Sequence, residues 1–318
     1  MNFKIIGTGS YVPDNVVTND DMSKLVETSD EWISKRVGIR ERRISKTDTT
    51  LDMGTKAALG ALDDAGLKGT DIDLIVVATI SGDTCCPSLA CMIQNRIGAE
   101  CMAFDISAAC AGYLFAVETA MGYINRGTAK RVLVVCAERM SKLIDWTDRS
   151  TCVIFGDGAA ATVLEATEEG MYDSVFHVKG GDDVLKIPQT DGKSPFYEVE
   201  SEAPYLFMNG QETYKFAVGS IVHDIKELFE KTGINGEDIA HFVPHQANKR
   251  IIDYAQKKLG YDADKWFVNI DKFGNVSSAS IPLALDEMNK KGMLKRGEKI
   301  VLAAFGGGLS SGAMVFEW

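Results

Sequence analysis

The chain has 318 residues; 45% of them are hydrophobic, 25% are charged, and the formal net charge is −11. This composition is typical of a globular protein with a sizeable core, and it excludes collagen-like, coiled-coil and intrinsically disordered classes. The acidic balance disfavours general nucleic-acid binding, and an acidic partner would need a local basic patch.

The cysteine and histidine content predicts an intracellular protein without a metal centre. The seven cysteines are odd in number and have no regular spacing, which favours a reducing cytoplasm. The first residues, MNFKIIGTGSYVP, contain no long apolar core, and no later run approaches the ~18 residues of a membrane span. With four histidines and no CxxC pair, we expect no zinc site and no other metal.

Alternating strand and helix patterns fill the first half of the chain. A predicted strand over 3–7 precedes a helix over 50–65, whose apolar spacing ends at the helix-stopping Gly66. Residues 74–79, LIVVAT, form a short β-branched run typical of a buried parallel strand. The pattern then predicts helix 87–97, strand 101–105, helix 111–126, strand 131–137, and two strands around the turn FGDG within 151–164.

The second half repeats the alternation after an irregular segment. Residues 171–210 contain three prolines and are too long for a simple linker, so we expect a lid or a pocket wall. The elements that follow are helix 211–232, strand 240–244, helix 246–259, strand 266–270, helix 277–291, strand 299–305 and strand 312–317. This order predicts α/β layers with mostly parallel sheets.

An internal repeat supports a duplicated architecture. Residues 65–77 (AGLKGTDIDLIVV) match residues 232–244 (TGINGEDIAHFVP) in the pattern of helix end, glycine, turn and strand. Residues 126–136 (RGTAKRVLVVC) match residues 296–305 (RGEKIVLAAF) in the same order and at a similar offset. We therefore predict two βαβ-type halves, 1–170 and 171–318.

Cys110 is the first candidate for chemistry. It lies between the predicted strand 101–105 and a long helix, where free backbone N–H groups and the helix dipole favour an anion. We expect a lowered thiol pKa and a nucleophilic thiolate, and the small neighbours in SAACAG would let a substrate reach the sulfur. The alternative is a buried core cysteine.

His245 and Asn275 fall at two further strand ends. His245 follows strand 240–244, and Asn275 precedes the helix that the repeat matches to the Cys110 helix. Because ligands of parallel α/β sheets bind at the carboxyl ends of the strands, we expect these side chains on one functional edge. Taken singly, His245 would be a solvated or core residue, and Asn275 a helix N-cap.

A glycine-rich loop follows strand 299–305. In FGGGLSSG (305–312), backbone N–H groups can point inward and form an oxyanion hole. The loop lacks the GxxxxGK[ST] pattern of a phosphate-binding loop, and GTGS at 7–10 lacks the full GxGxxG spacing of a dinucleotide site. Both nucleotide-binding motifs are therefore disfavoured.

Six segments together resemble the family of β-ketoacyl-acyl carrier protein (ACP) synthase III, the initiating condensing enzyme of bacterial type II fatty acid synthesis. They are TSDEWISKRVGIRERR (28–43), DISAACAGY (105–113), IFGDGAAATVL (154–164), VPHQANKRII (243–252), FGNVSSASIPLAL (273–285) and FGGGLSSG (305–312). The resemblance runs from residue 3 to the C-terminus. It implies the α/β thiolase fold, with duplicated βαβαβ-type halves in a five-layered α-β-α-β-α arrangement, and a homodimer.

The resemblance also implies roles for individual residues. Cys110 resembles the family's nucleophile, and His245 with Asn275 resembles the pair that handles malonyl decarboxylation. Gly307 and Cys110 would supply the backbone N–H groups of the oxyanion hole, and Phe305 resembles the aromatic residue beside the cysteine. The positions that match the family's coenzyme A contacts are Trp32, Arg36 and Arg149, with Arg40 nearby.

The implied reaction condenses an acyl-CoA primer with malonyl-ACP and requires no metal or redox cofactor. Because ACP is acidic, we expect it to dock on a basic patch beside the entrance. Arg250 and Lys257 are seven residues apart and share a helix face. The complete patch comprises Arg250, Lys215, Lys249 and Lys257, with Lys258 alongside. A solvated helix face is the alternative.

Two departures from the family pattern bear on the primer. Ser311 stands where the family often has tryptophan. Cys86, before Pro87, matches a position where some members carry a phenylalanine that limits the acyl tunnel of the neighbouring subunit. We interpret both as widening the acyl pocket toward longer or branched primers, a bias of about 1–3 kcal/mol per methylene.

Other functions remain open at this point. A related thiolase-fold acyltransferase of secondary metabolism or a hydroxymethylglutaryl-CoA synthase would share the fold, the cysteine and the histidine. The HQAN and FGN motifs together favour decarboxylative condensation over both. A silent acyl-CoA-binding or scaffold protein would not need the complete Cys–His–Asn set. A papain-like protease would show a different cysteine context and no duplicated halves.

Overall fold

Two mixed sheets organise the structure, a computed structural model that describes residues 1–189, 195–196 and 202–318. The strands in this part of the chain are β1 (Asn2–Tyr11), β2 (Val16–Thr18), β3 (Glu41–Arg43), β4 (Leu74–Ala78), β5 (Met102–Ile106), β6 (Arg131–Arg139), β7 (Asp157–Thr167), β8 (Tyr172–Val178), β9 (Leu185–Lys186), β10 (Phe207–Met208), β11 (Ile239–Pro244), β12 (Lys299–Gly306) and β13 (Ser310–Glu317). The first sheet has the order β1-β7-β6-β4-β5 and the second the order β11-β12-β13-β8. Two short pairs, β2–β3 and β9–β10, lie outside these sheets.

The helices connect the strands and cover both sheets. Those in the described ranges are α1 (Asn19–Met22), α2 (Asp30–Val37), α3 (Thr50–Ala65), α4 (Leu89–Ile97), α5 (Gly112–Asn125), α6 (Arg149–Cys152), α7 (Gly210–Thr232), α8 (Lys249–Leu259), α9 (Ile270–Phe273) and α10 (Ser280–Lys290). Short 3₁₀ turns, Ala109–Ala111 and Ser277–Ala279, precede α5 and α10. No helix of the described residues is both long and apolar enough to cross a membrane.

The two sheets follow the same path, as the sequence repeat predicts. In the first, β4 runs parallel to β6, and β7 and β1 then follow antiparallel. In the second, β11 runs parallel to β12, and β13 and β8 follow antiparallel. The place of β5 is taken in the second half by a single parallel bridge between Phe242 and Trp266. The duplication is therefore visible in strand order as well as in sequence.

The matched sequence segments fold alike. Helix α3 ends at Gly66, with φ of +67°, and α7 ends at Gly233, with φ of +70°. This left-handed conformation is one that glycine adopts without the penalty of a Cβ atom. In each half a 3₁₀ turn follows, Gly69–Asp71 or Gly236–Asp238, and the buried strand β4 or β11 comes next. The repeat thus predicts both helix ends correctly.

The core confirms the five-layered arrangement. Buried residues of α3 and α4 pack on the outer face of the first sheet, including Met53 and Ile93. Buried residues of α5 and α10 pack between the two sheets, including Leu114 and Leu285. On the far side, α7 and α8 cover the second sheet, with Ile225 as one of their core residues. Helices α5 and α10 are therefore largely buried, and their N-terminal turns contact each other inside the molecule.

Two predicted strand assignments are wrong. Residues 151–164 do not form two strands, because α6 ends at Cys152 and one strand, β7, starts at Asp157 and pairs with both β1 and β6. The predicted strand 266–270 is reduced to the bridge at Trp266, and α9 starts at Ile270.

The segment 171–210 contains one strand of the second sheet. Its first residues form β8, which the sequence analysis missed because YDSVFHV is only half-buried at the sheet edge. Leu185 and Met208, on β9 and β10, line the cavity described below, which confirms the predicted pocket wall. Residues 190–194 and 197–201 of this segment lie outside the described ranges.

Candidate active site

Cys110 lies in a tight turn between β5 and α5. Ala109, beside it, has φ of +46°, a left-handed conformation that is uncommon for a residue with a side chain. Gly306, at the end of β12, packs against the turn, and a Cβ atom there would lie only 2.8 Å from the Cys110 backbone nitrogen. The close approach of the two halves therefore requires glycine at 306 and fixes the Cys110 backbone.

The Cys110 thiol is partly exposed, yet it is closely surrounded by protein. Burial raises the pKa of Cys110 to about 12, although side-chain hydrogen bonding with Ser277 and Asn275 acts in the opposite direction and favours the thiolate. The Ser277 hydroxyl oxygen lies 3.7 Å from Sγ. The expectation of a lowered pKa for Cys110 is therefore wrong, because desolvation of the thiolate outweighs the nearby hydrogen-bonding groups.

Asn275 is held beside Cys110 by backbone pairing with the segment that follows α6. Its N–H donates to the Ile154 carbonyl at 2.9 Å, and its own carbonyl accepts from the Gly156 N–H at 3.0 Å. Gly274 permits this approach, because its φ is +66° and a Cβ atom would lie 2.7 Å from the Ile154 oxygen. The pairing places the Asn275 side chain at the N-terminal end of the α10 region.

The Asn275 amide has one end occupied and one end available. Its Oδ1 accepts from the Ser277 N–H at 2.8 Å, which leaves Nδ2 as a hydrogen-bond donor. Helix α10 itself begins only at Ser280, after the 3₁₀ turn. Asn275 therefore caps that turn rather than the helix, and its amide group adds a donor beside the Cys110 thiol.

The repeat relates Cys110 to Ser278 at the level of single residues. Ala109 and Ser277 both have left-handed φ values, +46° and +48°, and each is the first residue of the 3₁₀ turn before a central helix. The next residue is Cys110 in one half and Ser278 in the other. The prediction that Cys110 and Asn275 occupy equivalent junctions is thus confirmed, and the residue that corresponds to Cys110 is Ser278.

His245 follows β11 and is enclosed. Its backbone N–H donates to the Ala303 carbonyl at 2.8 Å, and the Phe305 ring lies edge-on with its centroid 5.4 Å from that of the imidazole. The residue is 1% exposed, and neither ring nitrogen has a hydrogen-bond partner among the described residues. Burial lowers the pKa of His245 to about 3, so the imidazole is neutral. Buried polar atoms are normally paired, so these nitrogens mark a place for a substrate atom.

One cavity of about 510 Å³ joins the three predicted residues. Cys110, His245 and Asn275 all line it, together with Phe305 and Gly306. The prediction that these side chains lie on one functional edge is therefore confirmed in their placement. A nucleophile and two neutral hydrogen-bond groups surround the same space, which suits chemistry at a carbonyl group.

Gly307, the predicted oxyanion donor, lies next to the Cys110 turn. A Cβ atom at Gly307 would be 3.5 Å from the Ala109 Cβ, and the Gly307 carbonyl accepts from the Ser310 hydroxyl at 3.1 Å. The glycine-rich loop therefore lies beside the turn that carries the nucleophile. Its role as a donor to a bound substrate stays a prediction.

Cationic and aromatic side chains form the mouth of the cavity. The Arg36 and Arg149 guanidinium groups lie 5.2 and 5.0 Å from the centroid of the Trp32 ring, and all three residues line the cavity. Arg149 also donates to the Glu27 carbonyl at 2.8 Å. Arg40 is exposed, and its backbone N–H donates to the Asp271 carbonyl. An aromatic face between two cations suits a planar base that carries phosphates.

Arg250 is the member of the predicted basic patch that reaches the cavity. It lines the mouth at the start of α8, and its guanidinium lies 5.6 Å from the Tyr214 ring centroid. Lys257 lies exposed farther along the same helix. Arg250 and Lys257 therefore place positive charge at the mouth of the cavity and farther along the exposed surface of α8.

The other two lysines of the patch are already paired. Lys249 bonds to Asp253 at 2.6 Å, and Lys215 bonds to Glu212 at 2.7 Å. Exposed pairs of this kind are worth little and rearrange easily. Arg250 is therefore the strongest cationic contact that the patch offers at the mouth.

The two predicted acyl-pocket residues do not line this cavity. Cys86 is exposed in the loop between β4 and α4. Ser311 is 1% exposed, lies on β13 between Phe305 and His177 in the strand register, and lines a separate groove against α7. Ser311 therefore lies outside the cavity that contains Cys110, and its effect on the acyl pocket stays a prediction.

Comparisons with known proteins agree with this geometry. Residues 104–180 match the family model 3-oxoacyl-[acyl-carrier-protein] synthase III, and residues 229–318 match the model of its C-terminal part. A relative from Clostridium acetobutylicum named beta-ketoacyl-[acyl-carrier-protein] synthase III is 53% identical over 99% of this chain and 98% of its own. A relative of the same name from Clostridium novyi is 47% identical, over 100% and 99%.

The chain belongs to the β-ketoacyl-ACP synthase III family.

A solved synthase III structure shows the same fold. The crystal structure of 3-oxoacyl-[acyl-carrier-protein] synthase III from Aquifex aeolicus is 44% identical to this chain, covers 100% of both chains, and has a TM-score of 0.93. The five layers described above are therefore those of the thiolase fold. As a member of this family, the protein is an acyltransferase, a condensing enzyme of fatty acid synthesis.

Sequence reasoning missed three residues of this synthase site. Ser277 contacts the Cys110 sulfur, Gly306 packs on the Cys110 nitrogen, and Tyr214 supports Arg250. The first glycine of FGGG was a visible signal for Gly306. Ser277 and Tyr214 carry no motif, because only the packing of the two halves brings them to the site.

Proposed function

We propose that Cys110, His245 and Asn275 together condense an acyl-CoA primer with malonyl-ACP, giving 3-oxoacyl-ACP, coenzyme A and CO₂. The observation that carries this proposal is the shared cavity, in which the Cys110 thiol, the neutral His245 imidazole and the Asn275 amide meet. Relatives at 53% and 47% identity carry the synthase III name, which favours fatty acid synthesis over the secondary-metabolism alternative.

Coenzyme A would bind at the cavity mouth. Trp32 offers an aromatic face between Arg36 and Arg149, where an adenine ring can stack while the guanidinium groups contact phosphates. The thiol end of the cofactor would then extend down the cavity toward Cys110. The net charge of −11 makes these local cations necessary for a polyanionic substrate.

Acylation transfers the primer to Cys110. The sulfur attacks the thioester carbonyl, the bond from that carbonyl to the coenzyme A sulfur breaks, and the proton of Cys110 leaves on the coenzyme A thiol. The backbone N–H groups of Cys110 and Gly307 would stabilise the oxyanion that forms in between. Ser277 and Asn275 support the step by favouring the thiolate form of Cys110.

Condensation uses the neutral donors on the other side of the cavity. The bond from the malonyl methylene carbon to its carboxylate breaks, CO₂ leaves, and the electron pair becomes an enolate of the ACP thioester. His245 and Asn275 would each donate a hydrogen bond to the enolate oxygen. The enolate carbon then attacks the acyl-Cys110 carbonyl, the carbon–sulfur bond breaks, and the released thiolate takes up a proton.

The same proposal includes the protein partners, the cellular location and the cofactor requirement. Malonyl-ACP would dock with its acidic surface on Arg250, Lys257, Lys249 and Lys215, and a second copy of the chain would complete a homodimer. Cys86 would reach the partner's acyl tunnel in that dimer. We propose a cytoplasmic location, which the free thiols of all seven cysteines support, and chemistry without a metal or redox cofactor.

Intact-mass spectrometry tests the proposal. The purified chain and its Cys110→Ala variant are mixed with straight and branched acyl-CoAs of two to eight carbons. We expect one acyl adduct per chain that is missing in the variant, and malonyl-ACP should discharge it as 3-oxoacyl-ACP. The absence of an adduct with every acyl-CoA, or an adduct that persists in the variant, would contradict the assigned nucleophile.

A further inference from the structure

His177, His223 and Asp224 line the groove that also contains Ser311, apart from the active-site cavity, and Glu227 lies beside the two histidines. His177 projects from β8, whereas His223 and Glu227 are four residues apart on α7 and so share one helix face. One donor atom from each of these three residues lies within 4.8 Å of the others. The groove between β8, β13 and α7 has a volume of about 510 Å³.

Asp224 gives this cluster a buried base. It is 1% exposed, and its Oδ1 lies 3.2 Å from His223 Nδ1 and 3.7 Å from His177 Nε2. Its Oδ2 is buried without a well-formed hydrogen bond, although the Ser311 hydroxyl lies close enough to favour the charged carboxylate.

The distances between the donor atoms fit a metal ion. Ligand bonds of about 2.0–2.1 Å in a tetrahedral zinc site place neighbouring donor atoms roughly 3.3 Å apart. Here His223 Nδ1 lies 3.6 Å from Glu227 Oε2, close to that value. The contact from His177 Nε2 to Glu227 Oε2, at 2.7 Å, is a hydrogen bond that would lengthen by about half an ångström.

We propose that His177, His223 and Glu227 bind a divalent transition-metal ion of the zinc type, with Asp224 as the adjoining buried charge. Imidazole nitrogen with carboxylate oxygen is a donor set that such ions favour, and two histidines with one glutamate leave a position open toward the groove. The site lies outside the condensation machinery. It would tie the edge strand β8 to α7, whose first turns line the active-site cavity.

The sequence gives only a weak signal for this site. His223 and Glu227 have helical spacing, but His177 lies 46 residues before His223 and on another element, so no ligand motif is visible. The expectation that the chain has no metal rests on that missing motif. Two lysines, Lys179 and Lys215, also line the groove, and Lys215 is already paired with Glu212.

Cobalt(II) titration of the chelator-treated, full-length protein tests the proposal. Cobalt is a spectroscopic substitute for zinc, and it shows whether thiolates take part, because cysteine ligands add a strong near-ultraviolet band. We expect one Co²⁺ per chain, with visible absorption and without the thiolate band. The variants His223→Gln and Glu227→Gln should each weaken binding by more than about 10-fold, and Zn²⁺ should displace the Co²⁺.

The controls separate a metal site from surface ion pairs. His241→Gln removes a histidine that also faces a carboxylate, at 3.8 Å from Glu298, but lacks a second imidazole, so this variant should bind Co²⁺ as the parent does. Circular dichroism and retention of the acyl adduct on Cys110 verify that each variant is folded. Binding that is unchanged in His223→Gln and Glu227→Gln, a thiolate band, or no binding at millimolar Co²⁺ would each overturn the proposal.

Discussion

Burial shifts the pKa of Cys110 upward and the pKa of His245 downward, and the two shifts suit different steps of the reaction. It raises the pKa of the thiol to about 12 and lowers the pKa of the imidazole to about 3, because the neutral form is favoured in both. The neutral imidazole can therefore donate a hydrogen bond without carrying a charge. Hydrogen bonding with Ser277 and Asn275 stabilises the thiolate form of Cys110.

Ser277→Ala tests this dependence at the level of one hydroxyl group. The substitution removes one hydrogen bond to the Cys110 sulfur, and a bond of about 0.5–1.5 kcal/mol corresponds to roughly a 2- to 10-fold slower alkylation by iodoacetamide. Peptide mass spectrometry measures the rate at Cys110 itself.

Ser280→Ala is the matched control for that measurement. Ser280 is the first residue of α10, directly after the turn that contains Ser277, and its hydroxyl accepts from the Val276 N–H at 3.1 Å. Its alkylation rate should equal that of the parent. If Ser277→Ala also reacts at the parent rate, Ser277 does not support the thiolate.

The site residues differ in how far sequence predicts them. Cys110, His245 and Asn275 could be found because each has a recognisable context at a strand end and the repeat places those ends together. The direction in which the pKa of Cys110 shifts could not be predicted from the sequence, because it depends on how closely the two halves enclose the sulfur. The groove that Ser311 lines could not be found from its position in the motif either.

At the scale of elements, α8 links the mouth of the cavity to the outer surface. It begins after Asn248, whose side chain accepts from the Arg250 N–H at 2.9 Å, and its first turn places Arg250 at the mouth. Arg250→Glu should lower the rate with malonyl-ACP by roughly 10-fold or more, because it reverses a charge that faces an acidic partner. Acylation by acyl-CoA should change much less.

Lys130→Glu provides the same charge change at a distant place. Lys130 precedes β6 at the amino edge of the first sheet, opposite the carboxyl ends that carry the site. This variant should behave as the parent in both half-reactions, which are followed by mass spectrometry at low and high salt. Equal losses in the two half-reactions of Arg250→Glu would argue against docking there.

The long helices of this chain could be predicted closely, whereas the shorter helices α1, α2, α6 and α9 were not predicted. The bounds 50–65 match α3 because Gly66 stops the helix locally, and the predicted helix 211–232 matches α7 within one residue for the same reason. The two strands predicted around FGDG failed because pairing partners far along the chain decide where β7 begins. The half-buried pattern of β8 gave too little periodicity to reveal an edge strand.

At the scale of the whole molecule, the burial of His245 links the site to stability. Its pKa in the folded chain, about 3, lies below the ordinary value of 6.5 that the unfolded chain is expected to show. Between these two pKa values the unfolded state therefore binds more protons than the folded state. The free energy of unfolding consequently falls as the pH is lowered through this range. This one group should account for about 1 kcal/mol between pH 7 and pH 5.5.

Urea unfolding of the parent and of His245→Gln at the two pH values isolates that contribution. The variant lacks the titrating group, so its loss of stability on acidification should be smaller by about 1 kcal/mol. The comparison uses the change with pH and not the absolute stability of the variant. An identical pH dependence of the two proteins would show that His245 does not carry the predicted shift.

The most direct test of the central claim separates the two half-reactions in His245→Ala. Because His245 is assigned to the enolate and not to acylation, the variant should form the acyl-Cys110 adduct within a few-fold of the parent rate. Discharge of that adduct by malonyl-ACP should slow by roughly 10²–10³, the usual effect of removing one oxyanion donor. Intact-mass spectrometry follows both steps on the same sample. Acylation that fails as severely as condensation would contradict the assigned roles.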